Sequence, residues 1–394
     1  MKIVQISTWK TSCGIAGYTK GLVEGFLKEN IHCEVLPIDV KKLKYMTRYE
    51  IKEHFQELAL KASIYDIIHV QHEFSFFSGA YGTKESLEMF AVFLHSLCSS
   101  GKKVFVTFHT EPFLIESSRL GIKQFLKKTV LQLYWKQKIA SMFNSKKNLS
   151  AIVHTKNSRR VFIDSGLKSS KIFLVKQGVT ISHPDNAAQM QFEEKAIIKQ
   201  ELGFSKTSVI LSMFGFISEY KGYLTALRAL LSLPDHYCLI IVGKPHPEAS
   251  DKTLNEVLRF VQKHKDVLSS RVHLTGYLPF EKLLRYYSIV DFCLAPYKGG
   301  TKLSSSAAIT WALASGKPVV ASRISSFQEL FEESDCLCLI SPDSPYELAY
   351  VVQKLYQDDL TREQLVKKAL EYCQKNQWAN VAANYLKLYE QLSY

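Results

Sequence analysis

Residues 290–322, VDFCLAPYKGGTKLSSSAAITWALASGKPVVAS, constrain the fold more than any other stretch of the chain. Val290–Ala295 is a short apolar run, the pattern of a strand buried on both faces. Tyr297–Leu303 reads as a loop with two glycines, and Ser304, Ser305 and Ser306 offer hydroxyls where a helix N-cap belongs. Ala307–Ser315 continues as an apolar helix that Gly316 and Pro318 stop, and Val319–Ala321 is the next strand. This is a strand–loop–helix–strand unit of a parallel sheet. It leaves unpaired backbone N–H groups at Ser305–Ala307, just past a strand's carboxyl end. Helix starts attract anions, and open α/β sheets bind ligands on that side. Taken alone, the stretch reads equally as a phosphate site or as a serine-capped turn.

At 394 residues, two α/β domains are expected, and 46% hydrophobic content fills two cores. The net charge of +13 suits nucleic acid, an anionic membrane or phosphorylated ligands. None of the eight cysteines forms a C-x-x-C pair, which argues against structural zinc and fits a reduced, cytoplasmic setting. Met1–Ile6 is already strand-like with no long apolar run behind it, so no secretory signal is expected. No apolar run approaches the roughly 20 residues that cross a bilayer.

In the first half, Lys2–Ile6, Cys33–Ile38, Asp66–Val70, Val104–Phe108, Ala151–Val153 and Ile172–Val175 read as strands. Ser7–Gly17 reads as a loop whose Gly14 and Gly17 would let the backbone approach a ligand, followed by a helix with Leu22, Val23, Phe26 and Leu27 on its apolar stripe. Lys41–Ala62 reads as helical. Polar groups recur after strands: Gln71-His72-Glu73, His109-Thr110-Glu111, His154 and Gln177-Gly178. They either pair locally or rim one cleft. Ser117–Asn148 interleaves Arg119, Lys123, Lys127, Lys128, Lys136, Lys138, Lys146 and Lys147 with large apolar residues. It is either an ordinary surface helix or one that rests on an anionic membrane.

Thr180–Gln191 is polar, contains a proline and reads as an inter-domain linker. Strand and helix alternation then restarts with Ser208–Phe214, Cys238–Val242 and Val272–Leu274, and leads into the opening stretch. The loop Phe214–Gly222 (FGFISEYKG) leaves a strand and enters a helix at Lys221, a lysine able to neutralise a phosphate held by helix N–H groups. Gly243 and Gly276 also follow strands. Helices are expected near 344–356 and 361–375, and Gln377–Tyr394 reads as a final amphipathic helix.

Six pieces in this order carry a resemblance: Cys13–Thr19 (CGIAGYT), Asp66–Glu73 (DIIHVQHE), Val106–Thr110 (VTFHT), Phe214–Gly222, Leu239–Gly243 (LIIVG) and Pro296–Ser322. Together the set resembles the retaining glycosyltransferases of family four, the group 1 glycosyl transferases with the GT-B fold. The resemblance implies two Rossmann-like domains facing across a deep cleft. Residues 1–180 would hold the acceptor, joined by a returning helix at 377–394, and residues 192–376 would hold a nucleotide-sugar. It implies transfer of a sugar to a glycan or lipid-linked acceptor, as in polysaccharide biosynthesis. No cofactor or bound metal is expected, and no Asp-x-Asp motif follows a strand. Carried over, Lys221 would contact the donor diphosphate, with Gly14 to Gly17 approaching it and the amides of Ser304, Ser305 and Ser306 cradling it. Gly215 belongs to the Lys221 loop. His109 would sit near the reacting sugar with His72 and Glu73 close by, Glu329 would hold ribose hydroxyls, and Gly276 to Leu278 would line the base.

Two departures stand out. Phe216 replaces an arginine found in many members, and Leu303 and Trp311 replace paired glutamates around the phosphate helix. No carboxylate stands out as a nucleophile, so front-face departure of the diphosphate is the expected route, with Lys221 and the serine amides stabilising it. A nucleotide-sugar epimerase of the same architecture and a non-catalytic sugar or nucleotide binder are the alternatives. Nucleic-acid binding rests on net charge alone. The expected location is cytoplasmic, at the inner face of the membrane if the basic helix docks there.

Overall fold

The computed structural model describes residues 1–11, 13–112, 122–180, 192–245, 251–301 and 305–391. The linker reading lies outside the described residues from 181 on, as do Leu303, Ser304 and residues 117–121 of the basic stretch. The chain divides into two compact units. One takes Met1–Gly178 and Asn376–Tyr394, the other Val179–Thr301 and Ser306–Lys375.

The first unit runs β1 (Ile3–Ser7), α1 (Gly14–Lys28), β2 (Cys33–Pro37), α2 (Val40–Leu43), α3 (Arg48–Ala62), β3 (Ile67–His72), α4 (Thr83–Ser99), β4 (Lys103–Phe108), α5 (Ile122–Tyr134), α6 (Ser141–Ser145), β5 (Leu149–Val153), α7 (Lys156–Asp164) and β6 (Ile172–Leu174). Its six strands are all parallel in the order β2-β1-β3-β4-β5-β6. Parallel sheets must be covered on both faces. Val4, Ile6, Val70 and Phe108 meet an aromatic cluster of Phe55, Phe77, Phe90 and Phe93 on one side. On the other, Ile3, Ile67, Phe105 and Ile152 pack with Tyr18, Leu22 and Phe26 of α1. The single helix expected over 41–62 is two, because Thr47 makes a capping box with Glu50 and starts α3 afresh.

The second unit runs α8 (Phe192–Glu201), β7 (Val209–Phe214), α9 (Tyr223–Ser232), β8 (Tyr237–Val242), α10 (Lys252–Lys263), α11 (Lys265–Leu268), β9 (Val272–Gly276), α12 (Phe280–Ile289), β10 (Phe292–Ala295), α13 (Ala307–Ala314), β11 (Val319–Ser322), α14 (Ser325–Ser334), β12 (Cys338–Ile340), α15 (Pro345–Tyr356) and α16 (Asp359–Lys375). Its parallel order, β12-β11-β10-β7-β8-β9, is that of a doubly wound nucleotide-binding sheet. The edge strand β12 was not expected from sequence. It pairs only three residues of the apolar run Cys336–Ile340 (CLCLI), and Cys338 and Leu339 are only half-buried.

The last helix, α17 (Trp378–Gln391), belongs to the first unit. It buries Val381, Ala382, Tyr385 and Tyr389 against α1 and the sheet. A β-carbon at Gly21 or Gly178 would collide with the Trp378 ring, and one at Gly25 with the Trp378 carbonyl oxygen. Glycine is therefore required by close approach at all three positions. No described helix is long and apolar enough to cross a membrane. Among the described residues, no group of three or more His, Cys, Asp or Glu is placed to hold a metal ion.

Gly25→Ala tests this packing. Alanine is the better helix former by about 1 kcal/mol. Even so, the overpacked contact should lower stability by about 1–3 kcal/mol, read as a fall in Tm. An unchanged or raised Tm would mean that α17 does not dock this closely.

Candidate functional site

In the second unit the strand order reverses between β7 and β10, which places a crevice at their carboxyl ends. The loop after β7 is shaped by two left-handed glycines, Gly215 at φ +99° and Gly222 at φ +71°. A β-carbon at Gly222 would run into the Pro296 carbonyl at the end of β10. The expected helix start at Lys221 is displaced: Glu219–Lys221 forms a 3-10 turn, Gly222 ends it, and α9 begins at Tyr223. This turn folds the Lys221 side chain back beneath the loop.

Lys221 is 4% exposed. Its Nζ donates to the Phe214 carbonyl at 3.0 Å. A β-carbon placed on Gly215 would lie 2.5 Å from Nζ and 3.6 Å from the Ala308 β-carbon, so the ammonium sits beside the first turn of α13. A small cavity lined by Phe214, Lys221, Tyr297, Ala308 and Ala312 lies there. Ser306 is the N-cap of α13: its Oγ accepts from Ile309 N at 3.4 Å and lies 3.0 Å from the Tyr297 hydroxyl. The first-turn amides left for a ligand are therefore those of Ala307 and Ala308, one step along from the expected Ser304–Ser306 set. Ser305 precedes the cap, and Ser304 lies outside the described residues. Lys298 pairs with Glu219 at 3.1 Å and its amide donates to the Tyr220 carbonyl, which ties the two loops together.

Burial lowers the Lys221 pKa to about 7. Among the described residues, no carboxylate lies within ion-pair distance of it. A buried ammonium with one carbonyl for company among the described residues is poorly compensated, and an anion at the α13 tip would restore its charge. Gly276 ends β9 at φ +69°, with no atom within 4 Å of where a β-carbon would stand. Beside it Lys244 Nζ lies 5.2 Å from the ring centre of exposed Tyr277, and Leu278 is half-buried. Glu329 lies on α14; burial raises the pKa of Tyr372 on α16, and the Glu329 charge adds to it.

In the first unit the order reverses between β1 and β3. Gly14 and Gly17, read as loop, form the first turn of α1. Neither has a neighbour within 4 Å of a built β-carbon, so packing does not explain them. His109 follows β4; its Nε2 lies 2.8 Å from Gln71 Oε1, and its ring meets Tyr18 edge-on at 4.9 Å and His154 at 5.4 Å. Burial, then the nearby His154, His69 and His72, hold the His109 pKa well below its usual value. Glu73 accepts from Thr110 Oγ1 at 2.8 Å, and burial raises its pKa. Thr8 Oγ1 and His154 Nε2 are buried and lack a hydrogen-bond partner. Thr8 lies in the Ser7–Gly17 loop and Tyr18 in the Cys13–Thr19 piece, but the sequence singles out neither as a site residue. An exposed-looking loop threonine and a helical tyrosine carry no pattern that marks them.

His72 does not join this group. It is the last residue of β3, not a loop residue past it, and strand alternation turns its side chain into the core. It is 0% exposed and caged by Phe74, Phe77, Phe90 and Phe108, with ring centres 4.2–5.3 Å away. Neither ring nitrogen has a partner, and burial lowers its pKa to about 3. It is a neutral packing group.

Residues 208–358 match the family described as glycosyl transferases, group 1. They are a group 1 glycosyltransferase domain. A D-inositol 3-phosphate glycosyltransferase of Corynebacterium glutamicum is 25% identical over 197 residues, which take in 48% of this chain and 45% of that protein. An uncharacterised glycosyltransferase of Methanocaldococcus jannaschii is 25% identical over 193 residues, 48% of this chain and 46% of that one. The match thus spans less than half the length of these relatives. Among solved structures, Anabaena HepE in complex with UDP-glucose superposes with a TM-score of 0.71 at 16% identity, covering 99% of this chain and 100% of that one. Sucrose-phosphate synthase from Thermosynechococcus elongatus gives 0.70 at 18%, covering 99% and 98%. At these identities the likeness is one of fold, and the fold is GT-B. Gly215, Lys221, Gly276, Leu278, Ser305, Ser306 and Glu329 fall inside the glycosyltransferase domain; Gly14, Gly17, Glu73 and His109 fall outside it.

His72→Leu separates packing from chemistry. Removing two partnerless nitrogens from an apolar cage should raise stability at pH 7 by about 1–2 kcal/mol. With the folded value near 3 and the usual value at 6.5, the unfolded chain binds the extra proton between them. His72 therefore costs stability progressively as pH falls from 6.5 towards 3. Denaturant melts should show a shallower acid decline for the variant, and a steeper one would contradict the buried neutral state.

Proposed function

We propose that the protein is a retaining, metal-independent glycosyltransferase that moves a sugar from a nucleoside-diphosphate sugar to a hydroxyl of a glycan or lipid-linked acceptor. The observation that carries the reading is the buried Lys221 ammonium, without a carboxylate among the described residues, beside the α13 tip at the switch point. A diphosphate bound there receives two helix-tip amides and one cation, the arrangement that stabilises a departing dianion. The match of residues 208–358 to group 1 glycosyl transferases, and UDP-sugar complexes of proteins sharing the fold, support this choice of ligand. The anomeric carbon–oxygen bond to the diphosphate breaks first. The acceptor oxygen then bonds to the same face, and its proton passes to an oxygen of the leaving diphosphate. In this reading the first unit binds the acceptor, with His109 and Glu73 addressing hydroxyls and Gly14 and Gly17 leaving room for a ligand. No cofactor takes part. Gly276 and Leu278 border the base, and Glu329 holds ribose hydroxyls.

A panel of nucleotide-sugars screened for thermal stabilisation identifies the donor, since a ligand at 100 times its Kd adds about 2.7 kcal/mol. Lys221→Met should weaken binding of the matching nucleoside diphosphate tenfold or more, about 1.4 kcal/mol by titration calorimetry. The same variant should raise the Tm of the free protein at pH 7, because it removes a poorly compensated ammonium. The penalty lies where the unfolded chain holds a proton the folded one resists, so wild-type stability rises with pH between about 7 and 10.5. Unchanged affinity would mean that the diphosphate does not sit here. Nucleoside-diphosphate release that needs no acceptor would point to hydrolysis or epimerisation, and product anomeric configuration by NMR tests retention.

We also infer that α5 rests on an anionic membrane surface. Leu126, Val130 and Leu133 share one helical face and are 57%, 54% and 51% exposed, in a segment rich in lysine. Co-sedimentation with vesicles containing phosphatidylglycerol should be strong at low salt and fall as salt rises. A Leu126→Ser, Val130→Ser, Leu133→Ser variant should stay in the supernatant, and a wild-type protein that does so sinks the idea.

A further inference from the structure

A chain of buried polar groups runs through the first unit from the last helix to His109. The Tyr389 hydroxyl lies 2.7 Å from His69 Nδ1. His69 Nε2 lies 2.7 Å from Thr107 Oγ1, and Gln5 Nε2 lies 3.2 Å from His69 Nδ1. Gln71 Nε2 donates to Gln5 Oε1 at 2.9 Å, and Gln71 Oε1 lies 2.8 Å from His109 Nε2. Gln5, His69, Gln71 and Thr107 are wholly buried, as is Tyr389. Side chains with such partners on every side have few ways to arrange their hydrogens.

The direction of the chain follows from its two amides, whose NH2 groups can only donate, whereas the Tyr389 phenol can donate or accept. Gln5 Nε2 faces His69 Nδ1, so that nitrogen accepts and His69 Nε2 donates to Thr107, with Gln71 Nε2 at 3.4 Å from His69 Nε2. This leaves the Gln5 carbonyl for the NH2 of Gln71. The Gln71 carbonyl then faces His109, whose Nε2 must carry the hydrogen. We propose that Gln71 is the positioning residue for His109, oriented in turn by Gln5 and by the His69–Tyr389 pair. It holds the ring in the Nε2–H tautomer, which makes Nδ1 the acceptor nitrogen of the ring. The C-terminal helix then takes part in the site through a hydrogen-bond direction, without touching substrate. The link to turnover rests on the role given to His109 under the proposed function; the tautomer does not.

Nitrogen-15 NMR of histidine-labelled protein reads the tautomer directly, with His109→Gln used to assign the signal. Wild type should show protonated Nε2 and unprotonated Nδ1. Gln5→Leu frees the Gln71 amide to rotate, and Gln71→Met removes the acceptor; each should shift His109 towards Nδ1–H. Gln71→Glu keeps an acceptor and should keep Nε2–H. In assays with donor and acceptor, Gln5→Leu and Gln71→Met should lower kcat by about tenfold with donor KM little changed. A wild-type Nδ1–H signal, or a tautomer indifferent to Gln71→Met, overturns the proposal even if Gln5→Leu fails to fold. A tautomer switch with unchanged kcat overturns its link to turnover and leaves the Lys221 nucleotide reading standing.

Discussion

The first unit depends on a tryptophan resting on glycines. Its sheet is parallel and apolar on both faces, so an uncovered face would be untenable. One face is closed by α3 and α4. The other has α1, but α1 alone leaves Phe105 and Ile152 open, and α17 fills the gap. Trp378 seats against Gly21, Gly25 and Gly178 closely enough that no β-carbon fits at any of them. The close approach lets Tyr385 and Tyr389 reach the strand residues Thr107 and His69. Apolar packing thus sets the distances at which the buried polar network becomes possible.

The same desolvation acts with opposite chemical results in the two units. In the first it keeps imidazoles neutral: His69 and His72 are lowered to about 3 and His154 to about 4. A neutral imidazole is a directional group with one donor and one acceptor, suited to holding a hydroxyl. In the second unit desolvation leaves Lys221 balanced between charged and neutral at physiological pH. Such a group answers strongly to a nearby anion. Backbone shape supports both arrangements. Two left-handed glycines fold Lys221 under its loop, and two glycines with open space before them begin α1.

Much of the fold is legible in the residues. Eleven strand segments announce themselves as apolar runs, because parallel strands are buried on both sides. The run Cys336–Ile340 (CLCLI) at β12 is as apolar, but only three of its residues pair, at a half-exposed edge. The candidate site is legible by position but less so by geometry. Lys221 reads as a helix start; only the left-handed Gly222 after it makes the 3-10 turn that buries the ammonium. Ser304–Ser306 read as the anion cradle, yet Ser306 uses its hydroxyl to cap Ile309, which shifts the available amides to Ala307 and Ala308. His72 shows the sharpest limit. Strand side chains alternate with a period of two, so whether β3 ends at Val70 or His72 decides between a site residue and a core residue. Apolar periodicity does not fix a strand end to one residue. The partnership of Gln5 and Gln71 with Tyr389 spans almost the whole chain, and no local pattern encodes it.

The division of the first unit between the two ends of the chain bears on how the molecule is made. Met1–Gly178 leaves the ribosome long before Asn376 is translated, and the second unit lies between. At about 5–20 residues per second, the glycine floor of α1 stays open for roughly 10–40 seconds. The second unit is contiguous apart from Lys302–Ser305 and can close first. The nascent amino-terminal sheet must meanwhile carry an apolar face in water, a natural target for chaperones. Folding of the unit synthesised first is completed last.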